Sequence, residues 1–259
     1  MKRFSSHFAF VAVFFAASVS QADWATLSGQ FVFGDEGSEL PEVVQIVPNK
    51  DANVCCKVAL VNESLVINPK NRGIANVVVW AYKPTAVHPI YNTTADDEVK
   101  IDNVNCRYEP HAVAIRTGQN FKVSNSDPVG HNVLINFMKN RGFNPIIPSG
   151  GHVDLSLEKS EILPVKIGCS IHPWMQGVVL VQDHPYMAVT DEDGRFKLQH
   201  LPAGELTLKV WHEKVGYIQT VKIDGKEAAW KKGKYKLNFA PDAKESHVYA
   251  VDPKLFAKK

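Results

Sequence analysis

The run Gly168-Cys169-Ser170-Ile171-His172-Pro173-Trp174-Met175-Gln176-Gly177 sets a thiolate, an imidazole and a thioether three residues apart in a tight, proline-containing loop. That is a ligand set for copper. Soft sulfur donors favour Cu(I) and imidazoles keep Cu(II) accessible, so two imidazoles, one thiolate and a weak axial Met suit an electron-transfer site. The loop offers three of the four, and the second imidazole must come from elsewhere. His131, in Gly130-His131-Asn132-Val133, opens an apolar run that reads as a strand. The stretch from there to Cys169 has room for a strand, a hairpin and a returning strand. Taken singly, a Cys is usually a small buried hydrophobe, and a lone His or Met is core or surface. The spacing, the His-Asn pair and the apolar run Gly177-Val178-Val179-Leu180-Val181 together carry the copper reading.

This arrangement resembles the cupredoxins, and the short Cys-x-x-His-x-x-Met loop with Pro173-Trp174 inside it is similar to the amicyanin type that serves methylamine utilisation. The likeness runs from about Arg107 to Asp183. It implies one type 1 copper ion held by His131, Cys169, His172 and Met175, with Asn132 tying the His131 strand to the Cys169 loop. It also implies that His172 shows a ring edge to solvent while Cys169 and His131 lie deeper. Pro173 and Trp174 would then form an apolar docking patch, with Trp174 as core filler the competing reading. The partner implied is a redox protein, either an amine-oxidising enzyme or a cytochrome.

The elements that must position these residues read as all-β. Segments 27–33, 64–67, 76–82, 111–115, 120–124, 131–137, 152–157, 163–167 and 176–181 carry Val, Ile and Phe with alternating polarity, punctuated by Gly, Pro, Asn and Asp. No stretch keeps helical spacing for three turns. Many short strands predict sandwiches, here a cupredoxin-like Greek-key β-sandwich plus a second small β-sandwich. After the copper loop, residues 186–212 read strand, turn, strand, turn, strand, with Asp193-Gly194 expected to close a hairpin and Pro202-Ala203-Gly204 to make the second turn. That pattern resembles the carboxypeptidase regulatory-like, transthyretin-type sandwich, whose opening strand is similar to Leu27–Phe33. The expected organisation is a signal peptide over 1–22, an N-terminal β region over 23–100 that can complete the C-terminal sandwich, a copper domain over 101–183 and an accessory sandwich over 184–259. Residues 82–100, rich in Pro and Thr, read as a hinge.

Met1-Lys2-Arg3, the apolar run from Phe8 to Ala17 and Ser20-Gln21-Ala22 make a secretory signal peptide, too short to span a bilayer. The expectation is therefore a periplasmic or secreted protein with no membrane span after cleavage. Cleavage takes the formal charge from +2 to zero, which indicates neither nucleic acid nor an anionic membrane as partner. Cys55, Cys56, Cys106 and Cys169 fit export. With Cys169 reserved for metal, Cys106 bridges Cys55 or Cys56 and one thiol is left. The acidic run Asp191-Glu192-Asp193 reads as a solvated turn. No nucleophile elbow, His-Glu-x-x-His helix, phosphate loop or dinucleotide fingerprint is present, so the chain reads as a carrier and not an enzyme. A second copper centre of the oxidase type would need His-x-His pairs, and there are none. Two functions stand: a periplasmic electron carrier, or a non-redox secreted module that binds copper or an envelope component.

Overall fold

The computed structural model describes residues 23–257, and the expected signal peptide lies outside them. Strand Trp24–Phe33 alternates half-buried and buried residues along its whole length, as a strand with one face on a core must. It pairs antiparallel with Arg195–Pro202 and parallel with Lys244–Val251. Thr220–Ile223 and Lys226–Ala229 extend this sheet to five strands. The facing sheet holds Met187–Val189, Val78–Ala81, Gly204–His212 and Gly216–Tyr217, with Lys234–Phe239 also paired to Gly204–His212. Leu27, Phe31, Val79, Leu208 and Tyr249 pack between the two sheets. The N-terminal strands thus belong to one sandwich with the C-terminal ones.

The segment between them forms a second sandwich. One sheet runs His152–Ser156, Asn120–Asn125, Glu98–Val104, Arg107–Glu109; the other runs Ala112–Arg116, Gln176–Gln182, Val165–Gly168, Leu134–Ile135. Ile101, Phe121, Ile135, Ile167 and Val179 fill the space between them. Strand Gln176–Gln182 is buried on both faces. Val179 and Val181 face this core, while Val178 and Leu180 meet Val78, Trp80 and Trp211 of the other sandwich. A period of two puts successive side chains on opposite faces, which is why an unbroken apolar run is needed there.

Several elements differ from the sequence expectation. The run 131–137 is two short strands: His131–Asn132 pairs with Ile146–Ile147, and Leu134–Ile135 pairs with Val165–Gly168. His131, Asn132 and Val133 are all buried, which a regular one-faced strand cannot arrange, so the chain breaks at Val133. Pro164 has no N–H to donate, and the strand expected from Leu163 begins at Val165. Residues 64–67 contribute only a single bridge, Ile67 to Ile74. The turn at Asp193-Gly194 crosses from one sheet of its sandwich to the other instead of closing a hairpin, as does the turn at 202–204. The Asp193 carboxylate accepts from Asn68 and Asn71 Nδ2 at 2.8 and 2.6 Å. A Cβ at Gly73 would lie 2.1 Å from the Asp193 carbonyl oxygen, so only glycine lets the two backbones meet. The stretch read as a hinge is anchored. Pro89–Thr94 is a 3-10 helix, Arg116 donates to the Tyr91 carbonyl at 2.8 Å, and the Tyr91 hydroxyl donates to the Gln199 carbonyl at 2.9 Å. The first strand of the inserted sandwich starts at Glu98, three residues before the expected boundary.

Candidate metal centre

His131 and Cys169 sit at the ends of strands at one edge of the inserted sandwich, and His172 and Met175 follow in the loop that joins Val165–Gly168 to Gln176–Gln182. The loop is closed by its own backbone: Met175 N donates to the His172 carbonyl at 2.9 Å and Cys169 N to the Met175 carbonyl at 3.3 Å. Tyr108 ties the two ligand segments together, its hydroxyl reaching the carbonyls of Asn132 and Gly168 at 2.8 and 2.9 Å. One ligand atom each from His131, Cys169 and His172 lies within 4.8 Å of the others. The His172 Nδ1 is 3.8 Å from Cys169 Sγ, and the two imidazole ring centroids are 4.6 Å apart. Met175 is buried at the same core.

Asn132 does what was expected of it. Its Oδ1 accepts from Ser170 N at 2.7 Å and from Ile171 N at 3.2 Å, and its backbone N–H points at Cys169 Sγ from 3.5 Å. His172 N adds a second donor to that sulfur at 3.4 Å. Burial alone pushes the Cys169 thiol up, but the His131 imidazole and these backbone N–H groups outweigh it and hold the thiol below its usual range. Burial pulls His131 down, but Asp127 and the nearby Cys169 sulfur outweigh it and raise it. Thiolate character is what metal ligation requires.

Two carboxylates complete the site, and neither was singled out in the sequence. Asp127 Oδ2 holds His131 Nε2 at 2.9 Å while its two oxygens take the N–H groups of Asn105 and Cys106 at 2.7 and 2.8 Å. Asp51 Oδ2 holds His172 Nε2 at 2.9 Å. Each imidazole therefore has its outer nitrogen fixed by an acid, the usual arrangement behind a metal-bound histidine. The inner nitrogen of His131, Nδ1, is buried without a hydrogen-bond partner. A buried polar atom left unpaired at the centre of a thiolate and imidazole cluster fits a metal. Asp127 had a local signal, lying four residues before His131 in a Ser-Asp-Pro turn. Asp51 had none, being 121 positions from the residue it touches.

Asp51 also overturns the expectation of a solvent-facing His172. That ring is fully buried, at 0% exposure, because the segment around the short helix Ala52–Cys55 lies across it. The disulfide Cys55–Cys106 pins this segment to the inserted sandwich and leaves Cys56 exposed and free. Pro173 is exposed, but Trp174 is half-buried. Its indole N–H donates to the Cys106 carbonyl at 3.3 Å, and its ring lies 5.2 Å from that of His172. Trp174 is thus a wall between the ligand loop and a neighbouring cavity, not an open patch around an exposed ligand.

No family model matches the chain, and no curated protein does. Among solved structures the chain is similar to a Cu-containing nitrite reductase from Thermus scotoductus SA-01, at 21% identity and TM-score 0.30 over 32% of this chain. The chain spans 22% of that reductase's length. It is similar to an amicyanin variant in its reduced Cu(I) form at pH 4, at 22% identity and TM-score 0.30 over 34% of this chain and 84% of that one. A purple cupredoxin from Nitrosopumilus maritimus gives 28% identity and TM-score 0.28 over 33% of this chain and 99% of that one. These neighbours are cupredoxins or contain copper, and each covers about a third of the chain.

Proposed function

We propose that the chain is a type 1 copper protein of the periplasm or cell exterior that carries single electrons between redox partners, with His131, Cys169, His172 and Met175 as ligands. The observation that carries this reading is the convergence of three ligand atoms within 4.8 Å around a buried thiolate, with an unpaired imidazole nitrogen facing them. Bound copper would supply one-electron chemistry by alternating between Cu(II) and Cu(I). The chain supplies the rest. Asn132 and His172 N–H groups fix the sulfur, and Asp127 and Asp51 fix the tautomers and orientations of the two rings. Burial of all four ligands excludes water, so little need move when the charge changes.

The disulfide and the amino-terminal signal pattern support an oxidising compartment. The partner is a redox protein, an amine-oxidising enzyme or a cytochrome. The sandwich that flanks the copper unit is read as a carboxypeptidase regulatory-like, transthyretin-type accessory module. The chain itself is a carrier and not an enzyme. One observation favours a second reading, a secreted module that holds copper without passing electrons: Asp51 covers the His172 edge through which electrons would leave most directly. Electron self-exchange of the copper-loaded protein separates the two, being measurable for a carrier and absent for a store.

Copper-loaded protein should show an intense visible thiolate-to-copper band, and Cys169→Ser should abolish it. A variant that keeps its colour would sink the ligand assignment.

A further inference from the structure

His111 stands where the two sandwiches and the N-terminal segment meet, beside a cavity of about 310 Å³. Its Nε2 lies 2.6 Å from Glu213 Oε2, a carboxylate whose side chain is only 3% exposed. That contact occupies Nε2 and leaves Nδ1 as the ring nitrogen open to a further partner. The side chain is 8% exposed, and Nδ1 is buried with no hydrogen-bond partner. What faces it is Glu63 Oε2, 3.9 Å away. At that distance the two atoms do not hydrogen-bond, so the buried nitrogen has no protein donor or acceptor there. The span is about half an ångström wider than the roughly 3.3 Å between two donors of a tetrahedral ion, so the partly exposed Glu63 side chain closes in slightly on binding. Glu213 behind the imidazole is the acid that orients a metal-bound histidine, the same relation Asp127 has to His131.

We propose that His111 Nδ1 and the Glu63 carboxylate form a second metal site, for a borderline divalent cation such as Zn²⁺, with water from the adjoining cavity in the remaining positions. Nitrogen and oxygen donors without sulfur suit that class of ion. The surrounding charges set its strength. Arg107 lies 3.4 Å from Glu63 Oε1 and Lys166 3.7 Å from Glu213 Oε1, so both acids are already offset. Burial nevertheless pushes Glu63 above the usual carboxylate range, against the pull of His111 and Arg107. The site therefore holds its ion exchangeably, with two protein ligands and open positions. It joins Glu63 of the N-terminal segment to His111 of the inserted sandwich, with Glu213 of the other sandwich behind. Filling it stiffens the junction.

The test is made in the Cys169→Ser chain, which lacks the thiolate of the buried centre, so its outcome does not depend on the copper reading. Calorimetric titration with Zn²⁺ should find an equivalent whose affinity falls at least tenfold in Cys169→Ser/Glu63→Gln and in Cys169→Ser/His111→Gln. Glu213→Gln should weaken it by about 10- to 100-fold, and His152→Gln, at an exposed imidazole outside both sites, should leave it unchanged. Glu63 is partly exposed, so Glu63→Gln tests the site even if His111→Gln fails to fold. If no Zn²⁺ binds, or if it binds equally well in Glu63→Gln, the proposal is overturned and the pair instead shares a proton.

Discussion

Asp51→Asn is the most discriminating change at the proposed copper site, because it removes a charge from the outer nitrogen of His172 and little else. Asp51 sits in the left-handed region, φ 49° and ψ 34°, which Asn tolerates nearly as well as Asp, so the backbone should hold. Its carbonyl keeps accepting from Val54 and Cys55 N–H, and the disulfide keeps the segment in place. What is lost is the charge in a 2.9 Å contact to a fully buried ring. Hydrogen bonds to charged groups contribute about 1.5–3 kcal/mol and neutral ones about 0.5–1.5. Asp51 is about a third exposed, so the low ends apply, and the difference is about 1 kcal/mol. At 1.4 kcal/mol per decade, that is roughly a fivefold loss of copper affinity, just below the usual range for such outer carboxylates. Asp51→Ala removes the contact and adds left-handed strain of about 1–2 kcal/mol, so it should uncover the ring as well. A chelator competition for copper and the rate of imidazole carbethoxylation in the apo-protein read the two effects separately. Copper affinity unchanged in both variants, together with a His172 no more reactive than in the parent, would refute Asp51 as the group that fixes and covers that ring.

Thiol counting on denatured, unreduced apo-protein should find two free thiols, Cys56 and Cys169, and a count of four would remove the bridge. Cys55→Ser should cost about 2–4 kcal/mol by denaturant unfolding, for a link 51 residues apart in the chain. Burial pushes His212 down to about 4. Between about pH 6.5 and 4 the unfolded chain takes up a proton there that the native chain refuses, so stability falls as pH falls. The full loss is on the order of 3 kcal/mol, seen as a drop in melting temperature from pH 7 to pH 4.5 that is shallower in His212→Gln. Equal slopes in the two proteins would show that His212 is not the group responsible.

Some of this was legible in the chain and some was not, for reasons that can be named. That Cys169, His172 and Met175 lie together was readable because they are three residues apart in one short loop. His131 was readable because the Asn beside it has a task at the same loop. Alternation found four strands, Ala112–Arg116, Asn120–Asn125, His152–Ser156 and Gln176–Gln182, to within a residue. It failed at 131–137, where chemistry requires three consecutive buried residues and the strand breaks to supply them. It also failed at Asp193-Gly194, since turn chemistry fixes the bend and not the sheet to which the chain returns. The exposure of His172 was misjudged because the group that covers it comes from the far N-terminal side, and nothing in the spacing of 121 residues announces the contact.

The disulfide gives that distant contact its logic. Cys55 lies four residues after Asp51, whose carboxylate holds His172, and Cys106 donates its backbone N–H to Asp127, whose carboxylate holds His131. The indole of Trp174 closes the circuit on the Cys106 carbonyl. One covalent link therefore braces the acids behind both imidazoles. Two histidines donated from separate segments keep a fixed separation only if the groups behind them are fixed too. A redox site gains from that rigidity because reorganisation on electron transfer stays small, and a storage site gains nothing from it. The brace therefore weighs toward the electron-carrying reading, even though its Asp51 arm is what shuts the His172 edge.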